Sequence, residues 1–114
     1  MKAIKINTAA RTIEEINVEG LEDMQAAVDG YIEVATEVDK KNTLYVNEDG
    51  MFLQEDFFTI EGGHQPFRGN GIVVGFNYRT GESKDASVSI GEVRAKVKFF
   101  TALQIKMMAM AGAF

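Results

Sequence analysis

Residues 72–78 read Ile-Val-Val-Gly-Phe-Asn-Tyr (IVVGFNY) and are apolar on both faces until Asn77. A strand with one wet face alternates polar and apolar side chains, whereas an unbroken apolar run belongs near the middle of a sheet, covered on both sides. The rest of the chain must therefore supply neighbouring strands and a cover.

The neighbours lie upstream. Residues 3–7 (AIKIN) alternate, with Ile4 and Ile6 facing one way and Lys5 and Asn7 the other, and residues 12–18 (TIEEINV) place Ile16 and Val18 on a shared face. Residues 8–11 join these two stretches as a hairpin. After Gly20, Leu21, Met24 and Val28 recur at helical spacing. Glu22 and Asp23 suit the positive N-terminal end, and Gly30 offers a left-handed cap, giving a short helix over 21–29. Residues 31–38 (YIEVATEV) return to period two, with Ile32, Val34 and Val38 on one face and Glu33 and Glu37 on the other. Turns at 39–42 and 47–50 (NEDG) flank the strand TLYV.

Downstream the pattern is less decisive. Residues 51–58 (MFLQEDFF) fit a short helix or a strand equally. The loop 62–71 (GGHQPFRGNG) carries four glycines and the only proline, and residues 79–87 read as polar loop. Ser89 and Glu92 have capping-box spacing, and Val93, Val97, Phe100 and Met107 follow as a helical stripe. VRAKVKF also alternates like a strand, but an apolar region longer than a strand and rich in alanine and methionine favours one helix over 89–112. The expectation is a single α+β domain over 1–114 with a mainly antiparallel sheet of about five strands. The strand, strand, helix, strand, strand order allows a grasp-like sheet curled around the first helix.

The closing segment, residues 99–114 (FFTALQIKMMAMAGAF), holds three of the six methionines. Phe99, Phe100, Leu103, Ile105, Met107, Met108 and Met110 cover nearly the whole circumference of a helix, more than one small sheet can shelter. The face formed by Phe99, Phe100, Leu103, Met107, Met108 and Met110 is expected to bind a partner, either a second copy or a host protein.

Length and composition bound the rest. A chain of 114 residues with 46% hydrophobic and 25% charged side chains is one globular domain with one modest core. Zero cysteines remove disulfides and thiolate metal sites; with no apolar stretch behind Lys2 and Lys5, this fits a reducing cytoplasm. The apolar tail is shorter than a membrane span and contains Lys106. Net charge is −5 but uneven: residues 1–61 hold 5 basic and 14 acidic side chains, residues 62–114 hold 7 and 3. Acidic excess opposes phosphate backbones, so nucleic acid is not a favoured partner.

The opening MKAIKI, then TIEEI, GLEDMQAAVDGYIEV, LYVNEDG and GNGIVVG resemble the family catalogued as domain of unknown function 3846, small phage and bacterial proteins, over residues 1–81. Members usually continue from the NEDG-type turn into a segment with a recurring asparagine, which residues 51–59 lack. The likeness also ends after Asp85. The resemblance implies a phage-associated cytoplasmic protein and transfers no catalytic residue.

No cluster spells out a reaction. His64 is the only histidine; without a partner acid or pocket visible in sequence it reads as an exposed loop residue rather than a general base. Glu55, Asp56 and Glu61 match no metal-loop spacing. Asn47, Asp49, Gly50 and Asp56 echo a calcium loop, but Tyr45 occupies the place of its first aspartate. Gly69, Asn70 and Gly71 open a strand rather than a helix, so a tight turn is the better reading than a dinucleotide loop. His64, Arg68 and Asn70, with Arg79, are retained as an alternative small-ligand site on the 62–71 loop. Arg94, Lys96, Lys98 and Lys106 read as the wet side of the terminal helix. No catalytic residue, metal or cofactor is assigned. A non-enzymatic binding protein is the favoured function, and a nucleotide-sequestering protein is its rival.

Overall fold

The computed structural model describes all residues, Met1–Phe114. In chain order the elements are β1 (Lys2–Asn7), β2 (Thr12–Asn17), α1 (Leu21–Val28), β3 (Ile32–Asp39), β4 (Asn42–Asn47), a 3-10 turn (Gly50–Phe52), β5 (Phe57–Ile60), β6 (Phe67–Arg68), β7 (Gly71–Asn77), β8 (Glu82–Lys84), α2 (Ile90–Lys96), β9 (Val97–Phe100) and α3 (Ala102–Met110).

The fold is α+β with antiparallel sheets. The main sheet runs β2-β1-β7-β4-β3, with β8 also paired to β7. The IVVGFNY strand is its centre: β1 pairs with the first part of β7, β8 takes over the same edge at Gly75, and β4 lies along the other edge. Ile72 and Val74 pack on one face with Ala3, Val18, Met24, Ala27 and Val28, which places α1 there. Val73 faces the other way with Ile4, Ile6 and Leu44.

That second face is not left to solvent. It is covered by a three-stranded sheet, β6-β5-β9, whose Phe58, Ile60 and Phe67 join the same core as Val93 of α2. The main sheet is thus a middle layer between α1 and a second sheet, not a sheet curled around one helix. Phe58 and Val93 are fully buried, each stabilising by about 1.5–3 kcal/mol relative to exposure.

Several local expectations change, and one left open is settled. The helix expected over 89–112 is divided: the Ser89–Glu92 capping box starts it, but it stops at Lys96, and residues 97–100 pair with β5 as strand. A second capping box, Thr101 with Gln104, then starts α3. Val97 and Phe99 gain burial against the second core as strand residues, and tertiary packing overrides helical spacing. Residues 79–87 are not all loop, because β8 pairs there. Segment 51–58 divides into the 3-10 turn, an extended link and the start of β5.

A further change is at α1. Its left-handed cap is Asp29, with φ 60°, while Gly30 serves space instead: a Cβ there would lie 2.5 Å from Asn47 Nδ2. That amide donates to the Val28 carbonyl at 3.0 Å and closes the helix end. Leu21 is exposed, and Ala27 takes its place in the buried stripe. In β3, register shifts after Val34 and Glu37 move side chains across the sheet, so Ile32 faces α1, Val38 joins the other core and Val34 is exposed. No helix is long and apolar enough to cross a membrane.

Candidate functional site

The residues singled out on the 62–71 loop do not share one site. Asn70 is committed to structure: its Oδ1 accepts the Thr8 amide at 2.9 Å and its Nδ2 donates to the Ala27 carbonyl at 3.3 Å. Thr8, fully buried, donates its hydroxyl to the Gly69 carbonyl. This lattice ties the β1–β2 turn, α1 and the entry to β7 together. Arg68 stacks its guanidinium 4.8 Å from the Phe57 ring centroid and donates from Nε to the Glu55 carbonyl at 2.9 Å. Arg79 sits in the exposed turn beyond Asn77, at the opposite end of β7, roughly 20 Å of strand away from Asn70.

His64 lies elsewhere, in a cleft of about 500 Å³. One wall is the loop 61–65 between β5 and β6. The other is the end of α2 and the start of β9, with Lys96 and Lys98. Phe100, Met108 of α3 and Phe114 provide apolar lining. The antiparallel pairing of β5 with β9 brings these segments together, for Thr59 lies opposite Lys98 and the Glu61 amide donates to the Lys96 carbonyl at 2.9 Å. Sequence reading named His64 and both lysines but placed them apart, because nothing local reveals that residues 57–60 and 97–100 are partners.

Charge within the cleft is unbalanced. The chain's two side-chain ion pairs are Lys2–Glu15 at 3.5 Å and Arg11–Asp56 at 3.9 Å. Lys96 and Lys98 take part in neither, and Glu61 is the acidic residue on the lining. Lys96 also acts on Asp39. Partial burial pushes that carboxyl up, but the Asn42 side chain, the Lys41 and Asn42 amides and attraction to Lys96 outweigh burial and hold it below its ordinary value. Tyr78 is shifted the other way: its hydroxyl donates to Glu37 at 3.0 Å, which raises its pKa.

No three His, Asp or Glu side chains gather as a metal site. Glu55 and Asp56 sit on the link before β5, and Tyr45 of the calcium-loop echo belongs to β4 and packs toward α1.

The other candidate surface is α3. Of its nine residues only Ile105 is buried, while Leu103, Met107 and Met110 are 66%, 60% and 80% exposed. Their spacing of four and three residues puts them on one outward stripe. Phe99 and Phe100, expected on the same surface, are half-buried strand residues, and Met108 turns toward the cleft.

In comparison with known proteins, the family model described as Domain of unknown function (DUF3846) matches residues 1–98. That span runs past residue 81, takes in α2 and ends within β9, leaving α3 outside it. No curated protein and no solved structure matches the chain.

Proposed function

The chain belongs to the DUF3846 family, and from that premise we propose that it is a non-enzymatic protein that acts by association, in the first place with a second copy of itself, through the outward stripe of α3. One observation carries this reading: a nine-residue helix buries a single side chain and exposes Leu103, Met107 and Met110. Helices shorter than about 12–15 residues are marginal in water without packing. Exposed apolar patches of about 300–600 Å² on monomers are often functional.

A second copy fits because α3 carries one charged residue, Lys106. A two-fold contact repeats the same patch on both sides, so a weakly charged stripe meets its own image with little repulsion. The phage-associated, cytoplasmic setting implied by the family resemblance is part of the same proposal.

Light scattering on the full chain at about 50 µM tests it, since assembly depends on protomer concentration. The expected result is a dimer or larger mass that becomes monomeric when Leu103, Met107 and Met110 are changed to Glu. A monomeric mass for the unaltered chain, or an assembly indifferent to the three substitutions, refutes self-association through α3.

A further inference from the structure

We propose that the cleft between the 61–65 loop and β9 binds a small molecule carrying an oxyanion on a flat aromatic body. The oxyanion would sit against the basic wall and the ring against Phe100, Met108 and Phe114.

Three independent features of the cleft converge on this ligand. The first is charge: Lys96 and Lys98 line it, neither is ion-paired, and Glu61 is the one acid among its residues. In a protein of net charge −5, a cleft lined by two lysines and one acidic side chain is a local basic excess.

The second is backbone. Gly62 has a left-handed φ of +89°, and the Gly63 amide is used on the Ile60 carbonyl at 2.9 Å. The amides of Gly62, His64 and Gln65 have no acceptor within the chain. These three amides, either side of the spent Gly63 amide, belong to lining residues and are donors available to an anion, and the His64 imidazole and Gln65 carboxamide add side-chain donors beside them.

The third is shape and polarity. A cleft of about 500 Å³ falls in the range that holds small organic ligands, and apolar lining with a few convergent polar groups is their usual setting. The aromatic rings of Phe100 and Phe114 and the thioether of Met108 favour a flat ring over an aliphatic chain. This assignment differs from a site on Arg68, Asn70 and Arg79, whose groups are spent on Phe57, Thr8 and Ala27 or lie at the far end of β7.

Phosphate and carboxylate share this chemistry, and the test separates them. Backbone amide spectra of the full chain are followed during titration with phenyl phosphate, benzoate, inorganic phosphate and phenol, each to about 5 mM. The expected result is selective movement of the Gly62, His64 and Gln65 amides with an aryl anion, and weaker movement with phenol or with inorganic phosphate. Tighter binding of phenyl phosphate assigns the oxyanion as phosphate; tighter binding of benzoate assigns it as carboxylate. Changing Lys96 and Lys98 together to Ala should weaken the aryl anion by about tenfold or more, with unaltered amide positions in β1 and β7 showing that the fold persists. Repeating the titration on the form bearing Glu at 103, 107 and 110 keeps this result separate from association through α3. No movement with either aryl anion, equal movement with phenol, or binding indifferent to the lysine changes overturns the proposal.

Discussion

The ring of Phe58 closes directly over Gly71: a Cβ at position 71 would lie 2.8 Å from Phe58 Cζ and 2.8 Å from Leu44 Cδ1. The contact is the seam between the two sheets, since Phe58 belongs to β5 and Gly71 begins the central strand. Replacing Gly71 with Ala should destabilise the protein by about 1–3 kcal/mol through overpacking. Chemical denaturation measures it, and Phe58→Leu in the same chain should recover part of the loss. Strict additivity of the two changes would show that the ring does not set the cost.

Asn70 joins two buried polar partners that have no substitute. In Asn70→Ala the Thr8 amide and the Ala27 carbonyl lose their side-chain partner, and a loss of about 1–3 kcal/mol is expected. Asn70→Asp retains the acceptor for Thr8 but sets a carboxylate oxygen against the Ala27 carbonyl, two acceptors with no proton between them, so at neutral pH it should be destabilised at least as much as the alanine variant. An alanine variant within error of wild type in urea denaturation would contradict this role.

Asp39 gives a pH signature of known sign. Its folded pKa lies below the ordinary 3.8, so the folded state binds that proton more weakly than the unfolded chain does. The contribution is complete at neutral pH and is lost as the pH falls through and below the ordinary carboxylate range. Asp39→Asn, which mimics the protonated form, should lower Tm slightly at pH 7, and the difference should shrink as the pH falls below the ordinary carboxylate range. A gap between the two melting curves that stays constant across this range would refute the assignment.

Ile105 is the single buried side chain of α3. Ile105→Ala should speed amide exchange across residues 102–110 while leaving exchange in β1, β4 and β7 unchanged, because both main cores lie elsewhere. Uniform acceleration across the whole chain would show that α3 unfolds with the body.

Most of the main sheet was legible because its signals are local. Alternation in 3–7 and 12–18, the turns at 8–11, 39–42 and 47–50, and the doubly apolar IVVGFNY all report their own strand. The second sheet was not legible, because β5, β6 and β9 are strands of four, two and four residues whose partners lie far apart in sequence. VKFF satisfies both periods, and only the presence of β5 decides between them. The 103–110 stripe could be read from spacing, but its exposure could not, since that depends on which neighbours fail to cover it. His64, Lys96 and Lys98 were each visible as residues and became a cleft only through the pairing of Thr59 with Lys98.

One residue, Thr101, separates the last strand from α3, and its hydroxyl and amide are both occupied by Gln104. No slack exists at that joint. A pull or twist applied to α3 passes straight into the Phe57–Phe100 rung, so the helix is anchored like a lever welded to the end of a ladder rather than tethered by a cord.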